Sequence, residues 1–374
     1  MPAEKKLGIP WWIFVGANPG ETGKGGIHLF LMKTSENPDI PEFVTMTARG
    51  LVAQTPNPSF LAIAPERRLL FCVNETDSFQ GKKSGAVSVF SIDAASGKLT
   101  LLNQRPSMGT RPGHLALDRE GRHLVVANAG GTVAVFPVGS DGKLGAASDV
   151  RTHSGKSLFA GRKKGPHPQG VTFSPDNRFV FVCDLGLDKV LVYRFEAGAG
   201  KLTPSDPAFF SAKPGAGPRR LVFRPAGAFA YAIGELDSTV TAFAYDAKSG
   251  VLKALESLST VPEYYDGPNR ALEMGVHPSG KHLFVSNGGH HSIVLFSIDA
   301  KKGTLRYVED QSTYGTMPVH FGMDTPGKHL AVANQQSGNI LILRAPDNAR
   351  VKPGGDVVKM PGAACAVFMS PPST

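Results

Sequence analysis

The chain has 374 residues, 43 of them glycine and 29 proline, and a formal net charge of +9. That length exceeds what one compact core supports, so it calls for two domains or for repeated units that pack only on their neighbours. The basic residues lie in short scattered groups ("ERR" at 66–68, "GRKKG" at 161–165, "RR" at 219–220, "KK" at 301–302); with no long basic run and no aromatic-interleaved motif, they speak against nucleic acid and for a solvated surface that prefers small anions.

In chain order, "WWIFVGA" (11–17) and "GGIHLFLMK" (25–33) read as a second and a third strand that lack a first. Pro10 interrupts the apolar run and the run is needed as a strand, so no secretion signal is expected. No stretch approaches 18 apolar residues, so the expectation is a cytoplasmic protein with no membrane contact.

From about residue 55 one pattern recurs, as "APERRLLFCVNET" (64–76), "SPDNRFVFVCDLG" (174–186) and "HPSGKHLFVSNGG" (277–289). The turn residues Pro65, Arg119, Pro175, Pro225, Pro278 and Thr325 are spaced by 54, 56, 50, 53 and 47 residues. Nine positions after them stand Asn74, Asn128, Asp184, Gly234, Asn287 and Asn334. Each unit holds four short runs rich in Val, Phe and Tyr, bounded by turn clusters; in one unit they are "QGVTFS", "FVFVCD", "KVLVYRF" and "DPAFFSA". Units of about fifty residues with four strands are propeller blades. Six units run from about 55 to 360, and the tail "AACAVFMS" (363–370) is a first strand lacking the rest.

The expected fold is therefore an all-β seven-bladed β-propeller of four-stranded antiparallel blades, one domain over 1–374. Its blades span about 55–105, 110–152, 165–212, 217–261, 268–314 and 317–360. The N- and C-terminal strands (11–50 with 363–370) close the ring in one shared blade, leaving no open edge between first and last.

Cys72, Cys183 and Cys365 fall inside predicted strands, with no CxxC pair, so buried reduced thiols are expected. The adjacent histidines of "GGHHS" (288–292) point to opposite strand faces. No nucleophile elbow, P-loop or paired metal spacing is present. The expectation is no metal and no cofactor. In a four-stranded antiparallel blade the first strand starts, and the second ends, at the same end. Asn57, Glu75, His114, His167, Asp184, Arg219, Arg220, Glu235, Asn287, His290, His320 and Asn334 therefore converge on one face around the channel, a ready place for a small polar ligand.

The stretches "NPSFLAIAPERRLLFCVNE", "GPHPQGVTFSPDNRFVFVCDLGLDKVLVYRF", "GAGPRRLVF", "GELDSTVTAFAYDAKSGVL" and "HPSGKHLFVSNGGHHSIVLFSIDA" resemble the lactonase family of seven-bladed propellers, which includes propeller-type 6-phosphogluconolactonases and the carboxy-cis,cis-muconate cyclase. The resemblance implies chemistry on a lactone ring without a required metal. It carries the family's catalytic positions onto His167, Arg219 and Glu235, and an arginine near the site onto Arg162. Five positions depart from the family pattern: Gln169 replaces a histidine, Arg220 a histidine, Gly288 an arginine, and Val319 with His320 an Arg-Asn pair. Arg220 is expected to supply the charge that Gly288 lacks.

On this reading His167 is a general acid or base, Arg219 an anion clamp or oxyanion stabiliser, and Glu235 a base or orienter. Arg162, Gln169, Asp184, Arg220, Asn287 and His320 complete the substrate contacts. Each has a structural alternative: a hydrogen-bonded histidine, an inter-blade ion pair between Arg219 and Glu235, and a turn role for Asp184. Three functions stay open: a hydrolase opening a small anionic sugar lactone, a muconate-type cycloisomerase, and a non-catalytic propeller binding a small acid or a partner. The expected assembly is a monomer or weak dimer.

Overall fold

Residues 10–18, 20, 25–34, 43–159, 165–225, 227–345, 347, 350–355 and 357–370 are described by a computed structural model. They form seven antiparallel sheets, each starting with an innermost strand at the central axis. The innermost strands are Pro58–Ala64, Pro112–Leu117, Pro168–Phe173, Pro218–Phe223, Ala271–Val276, Pro318–Met323 and Ala363–Met369. In that order they define blades 1 to 7. In blade 7 the chain's last strand pairs with Trp11–Ala17, in the register Trp12↔Met369 to Gly16↔Cys365. Gly26–Thr34 and Val44–Gln54 complete that blade. Both ends of the chain thus close the ring, as the incomplete units required. Blade 6 departs from four regular strands: two short pieces, Lys352–Pro353 and Val358–Lys359, share its outer position against Asn339–Arg344.

Burial explains the composition of the runs. Second strands such as Phe179–Asp184 and Leu69–Asn74 are buried at every residue, because a neighbouring blade covers each of their faces. They therefore read as continuous apolar runs rather than alternating ones. Outer strands such as Lys201–Ser211 are exposed along most of their length and mix polar with apolar residues. The apolar side chains form seven clusters, one at each blade interface. A chain of this length thus needs no single large core.

Cys72, Cys183 and Cys365 are free and buried; burial pushes the Cys183 thiol up to about 12. Among the described residues no group of His, Cys, Asp or Glu has the arrangement to hold a metal ion, and no helix is long and apolar enough to cross a membrane.

Candidate active site

One local irregularity, repeated seven times, builds the mouth of the channel. The inner strand of each blade pairs normally at its first residue and then slips. In blade 4 Pro218 faces Gly234 but Arg220 faces Ile233, so Arg219 is an extra residue squeezed out of the ladder. The same bulge displaces Ser59, Gly113, Gln169 and Val319, and in blade 7 Ala364; in blade 5 the register shift contains Leu272. A bulge re-aims side chains. Six of the seven displaced residues, all but Leu272, line one cavity of about 260 Å³.

The backbone ahead of the bulge repeats too. The residue before the strand is left-handed in five blades: Asn57, Arg111, Gly217, Met317 and Gly362. Its carbonyl accepts from the residue that follows the second strand, as in Glu75 N–H to Asn57 O (2.9 Å), Leu185 N–H to His167 O (3.0 Å) and Glu235 N–H to Gly217 O (2.9 Å).

The buried Asn or Asp that ends the second strand in five of the blades has a different task. Asn287 donates Nδ2 to Thr260 O (2.6 Å) and accepts from Thr260 Oγ1 and Asn269 Nδ2. Asn128 and Asn334 grip the linkers from the preceding blade in the same way, through Ser107 O and Thr313 O. In blade 3 the linker offers a ring nitrogen, and the residue is acidic: Asp184 accepts from His153 Nδ1 (2.6 Å), His167 N–H (2.7 Å) and Leu187 N–H (3.1 Å). Asp184 and Asn287 are fully buried and absent from the cavity wall. Substrate contacts were expected of both; in this structure their bonding groups fasten blades together.

The cavity wall holds Glu75, Arg111, His167, Gln169, Arg219 and Gln335, and its floor is Phe60, Arg220 and His320. Gln169 Nε2 donates to His167 Nε2 (2.8 Å). Burial, reinforced by Arg111, holds the His167 ring below the ordinary histidine range, so it is neutral at pH 7 and able to take a proton. Arg219 donates Nε to Leu272 O (2.6 Å) and Nη1 to Glu235 Oε2 (2.5 Å). Glu235 is fully buried and bonds Arg270 through its other oxygen. Burial alone would raise its carboxyl, but Arg219 and Arg270 hold it below the ordinary value. A carboxylate clamped by two guanidiniums is a poor base; Glu235 orients Arg219 instead.

Arg220, one residue on, points down into the floor. It donates Nε to Glu273 Oε2 (3.2 Å) and Nη1 to Gln169 O (2.5 Å), and its guanidinium lies over the Phe60 ring. His114 and His320 flank the same ring. Their Nδ1 atoms accept from Val171 N–H and Ala366 N–H (3.3 Å each), which places the neutral proton on Nε2. Burial lowers both, His320 to about 4. Phe60, Arg220 and His320 also roof a second, largely apolar cavity of about 730 Å³ in the lower channel. Arg220 is thus inside the protein but committed to Glu273, and it does not stand in for Gly288. At Gly288 itself, a Cβ would meet Leu272 Cδ1 at 2.5 Å and Met317 Sδ at 3.1 Å.

The sequence reading brought His167, Gln169, Arg219, Arg220 and His320 together, and the cavity contains all five. It gave no role to Arg111, Arg270 or Glu273. The repeat register carried a signal for the first two, which stand at the position of His167. His290 lies apart, bonded to Ser292 and packed against Tyr265. Arg162 lies outside the described residues.

A 6-phosphogluconolactonase of Bacillus subtilis is 30% identical over 349 residues, 93% of this chain and 95% of that protein. One from Formosa agariphila is 32% identical over 336 residues, 89% of this chain and 92% of its own. The solved structure of a periplasmic gluconolactonase from Pseudomonas aeruginosa superposes with a TM-score of 0.86 at 32% identity, covering 97% of this chain and all of the other. The family described as lactonase, 7-bladed beta-propeller, matches residues 22–368. With a bulged, seven-fold channel mouth and these relatives along almost its whole length, the chain belongs to the lactonase family of seven-bladed propellers.

Proposed function

We propose that the protein hydrolyses a small sugar lactone bearing an anionic group. The observation that carries this reading is the cavity in which a neutral His167 and a Glu235-oriented Arg219 line one space. In the reaction, water displaces Gln169 from His167 Nε2, and that nitrogen takes the water's proton as the water oxygen bonds to the lactone carbonyl carbon. Charge builds on the carbonyl oxygen, where the Arg219 guanidinium stabilises it. The tetrahedral intermediate collapses by breaking the bond to the ring oxygen, which receives the proton from His167. The product is the open hydroxy acid. Relatives named 6-phosphogluconolactonase support the substrate class. The cycloisomerase reading would use the same histidine without consuming water.

The test follows proton release from glucono-lactone and 6-phosphoglucono-lactone, with and without EDTA. Catalysis insensitive to EDTA is expected, and His167→Gln should lower kcat by about a hundredfold or more. Turnover no faster than spontaneous hydrolysis for every lactone tried would overturn the reading.

A further inference from the structure

We infer that Arg111 is the residue that recognises the anionic group, so that the acidic end of the substrate lies at blade 2 and its carbonyl at blade 4. This rests on the lactonase reading. Among the described residues three guanidiniums line the cavity, and two of them are engaged: Arg219 with Glu235 and Leu272 O, and Arg220 with Glu273 and Gln169 O. Arg111 is half exposed, and its ion partner is Asp77 at 3.9 Å, itself 77% exposed. A solvated contact of that length holds the side chain weakly, leaving its donors available to an incoming anion.

The charges agree. Among the described residues that line the cavity, three charged side chains are guanidiniums and one, Glu75, is a carboxylate; behind the wall the carboxylates of Glu235 and Glu273 are held by Arg219, Arg270 and Arg220. A guanidinium fork suits a phosphate monoester or a carboxylate. His167 stands on blade 3, between Arg111 and Arg219, where it would meet the middle of a substrate held at both ends.

The backbone makes a clean test available. Arg111 has φ +50, in the left-handed region that favours glycine, and Gly217 and Gly362 occupy the equivalent positions of blades 4 and 7. Arg111→Gly therefore removes the guanidinium without straining the turn. Kinetics on 6-phosphoglucono-lactone, on a lactone with a carboxylate in place of the phosphate, and on unsubstituted glucono-lactone should separate the arms.

The expected result for Arg111→Gly is a KM about tenfold to a hundredfold higher for the charged lactones, less than threefold for the neutral one, and partial recovery in Arg111→Lys. Equal effects on charged and neutral lactones, or none, overturn the proposal. Calorimetric binding of 6-phosphogluconate and of inorganic phosphate separates it from the lactonase reading. Binding that Arg111→Gly abolishes, in a protein that opens no lactone, sinks the activity and keeps the anion site. Lactone opening with a KM for the charged lactones that the variant leaves unchanged sinks the anion site and keeps the activity.

Discussion

Two rings of side chains, one residue apart in sequence, do different work. The upper ring, from Ser59 through Gln169 and Arg219 to Ala364, opens onto the cavity. The lower ring, with His114, Arg220, Glu273 and His320 buried and Phe60 half-buried, closes the channel beneath it. Arg219 and Arg220 are neighbours, yet Arg219 lines the upper cavity beside Glu235 and Arg220 is locked on Glu273. Strand alternation sends them to opposite levels, and the bulge gives the upper one its reach. On a symmetric scaffold a one-residue step thus separates the cavity wall from the buried ring that supports it.

The largest expected effect tests the lower ring. Arg220→Ala leaves Glu273 as a buried, unpaired carboxylate and should cost about 3–5 kcal/mol of folding stability, read by urea denaturation. If instead the variant keeps its stability and only KM rises, Arg220 belongs with Arg219 and the contrast collapses. The double change Arg220→Met with Glu273→Leu should recover most of the loss.

A somewhat smaller effect comes from His320. Burial, opposed by Glu273 and reinforced by Arg220 and Arg219, brings its ring to about 4, below the unfolded value of about 6.5. The unfolded chain then binds the proton first. Stability is complete above about pH 6.5 and is lost as pH falls towards 4, by on the order of 3 kcal/mol for this group at about 1.36 kcal/mol per unit. The His320→Gln variant, whose amide oxygen can still accept from Ala366 N–H, should show a flatter stability profile between pH 7 and 4.5. Parallel profiles for the two proteins would mean that His320 is not held neutral by its site.

The smallest effect should fall on the upper ring without touching the fold. Arg219→Lys keeps a cation beside Glu235 but loses the planar fork. It should lower kcat/KM by about 1.5–3 kcal/mol, the worth of a charged hydrogen bond, while the melting temperature stays within a few degrees. A melting point that falls as far as that of Arg220→Ala would erase the distinction between the rings.

Much of this was legible in the chain. The spacing of Asn74, Asn128, Asp184, Asn287 and Asn334 announced the blades, and strand direction placed His167 and Arg219 on one face. Their shared position nevertheless made Asp184 and Asn287 look like site residues. Whether such a residue faces the cavity or a linker depends on His153 and Thr260 in the adjoining connections, which no spacing rule reports.

By itself the sequence determined the seven units, the closure of residues 11–17 onto 363–369, and the face on which polar groups gather. Those depend on local period, turn chemistry and chain direction. Tertiary structure alone decided which groups are free to act. Glu235 is engaged by Arg270, 35 residues away, and Arg220 by Glu273, 53 residues away. Among the described residues Arg111 is left with an exposed ion partner at 3.9 Å. The physical reason is that a charge is defined by its partners and its burial, and both are set where neighbouring blades meet.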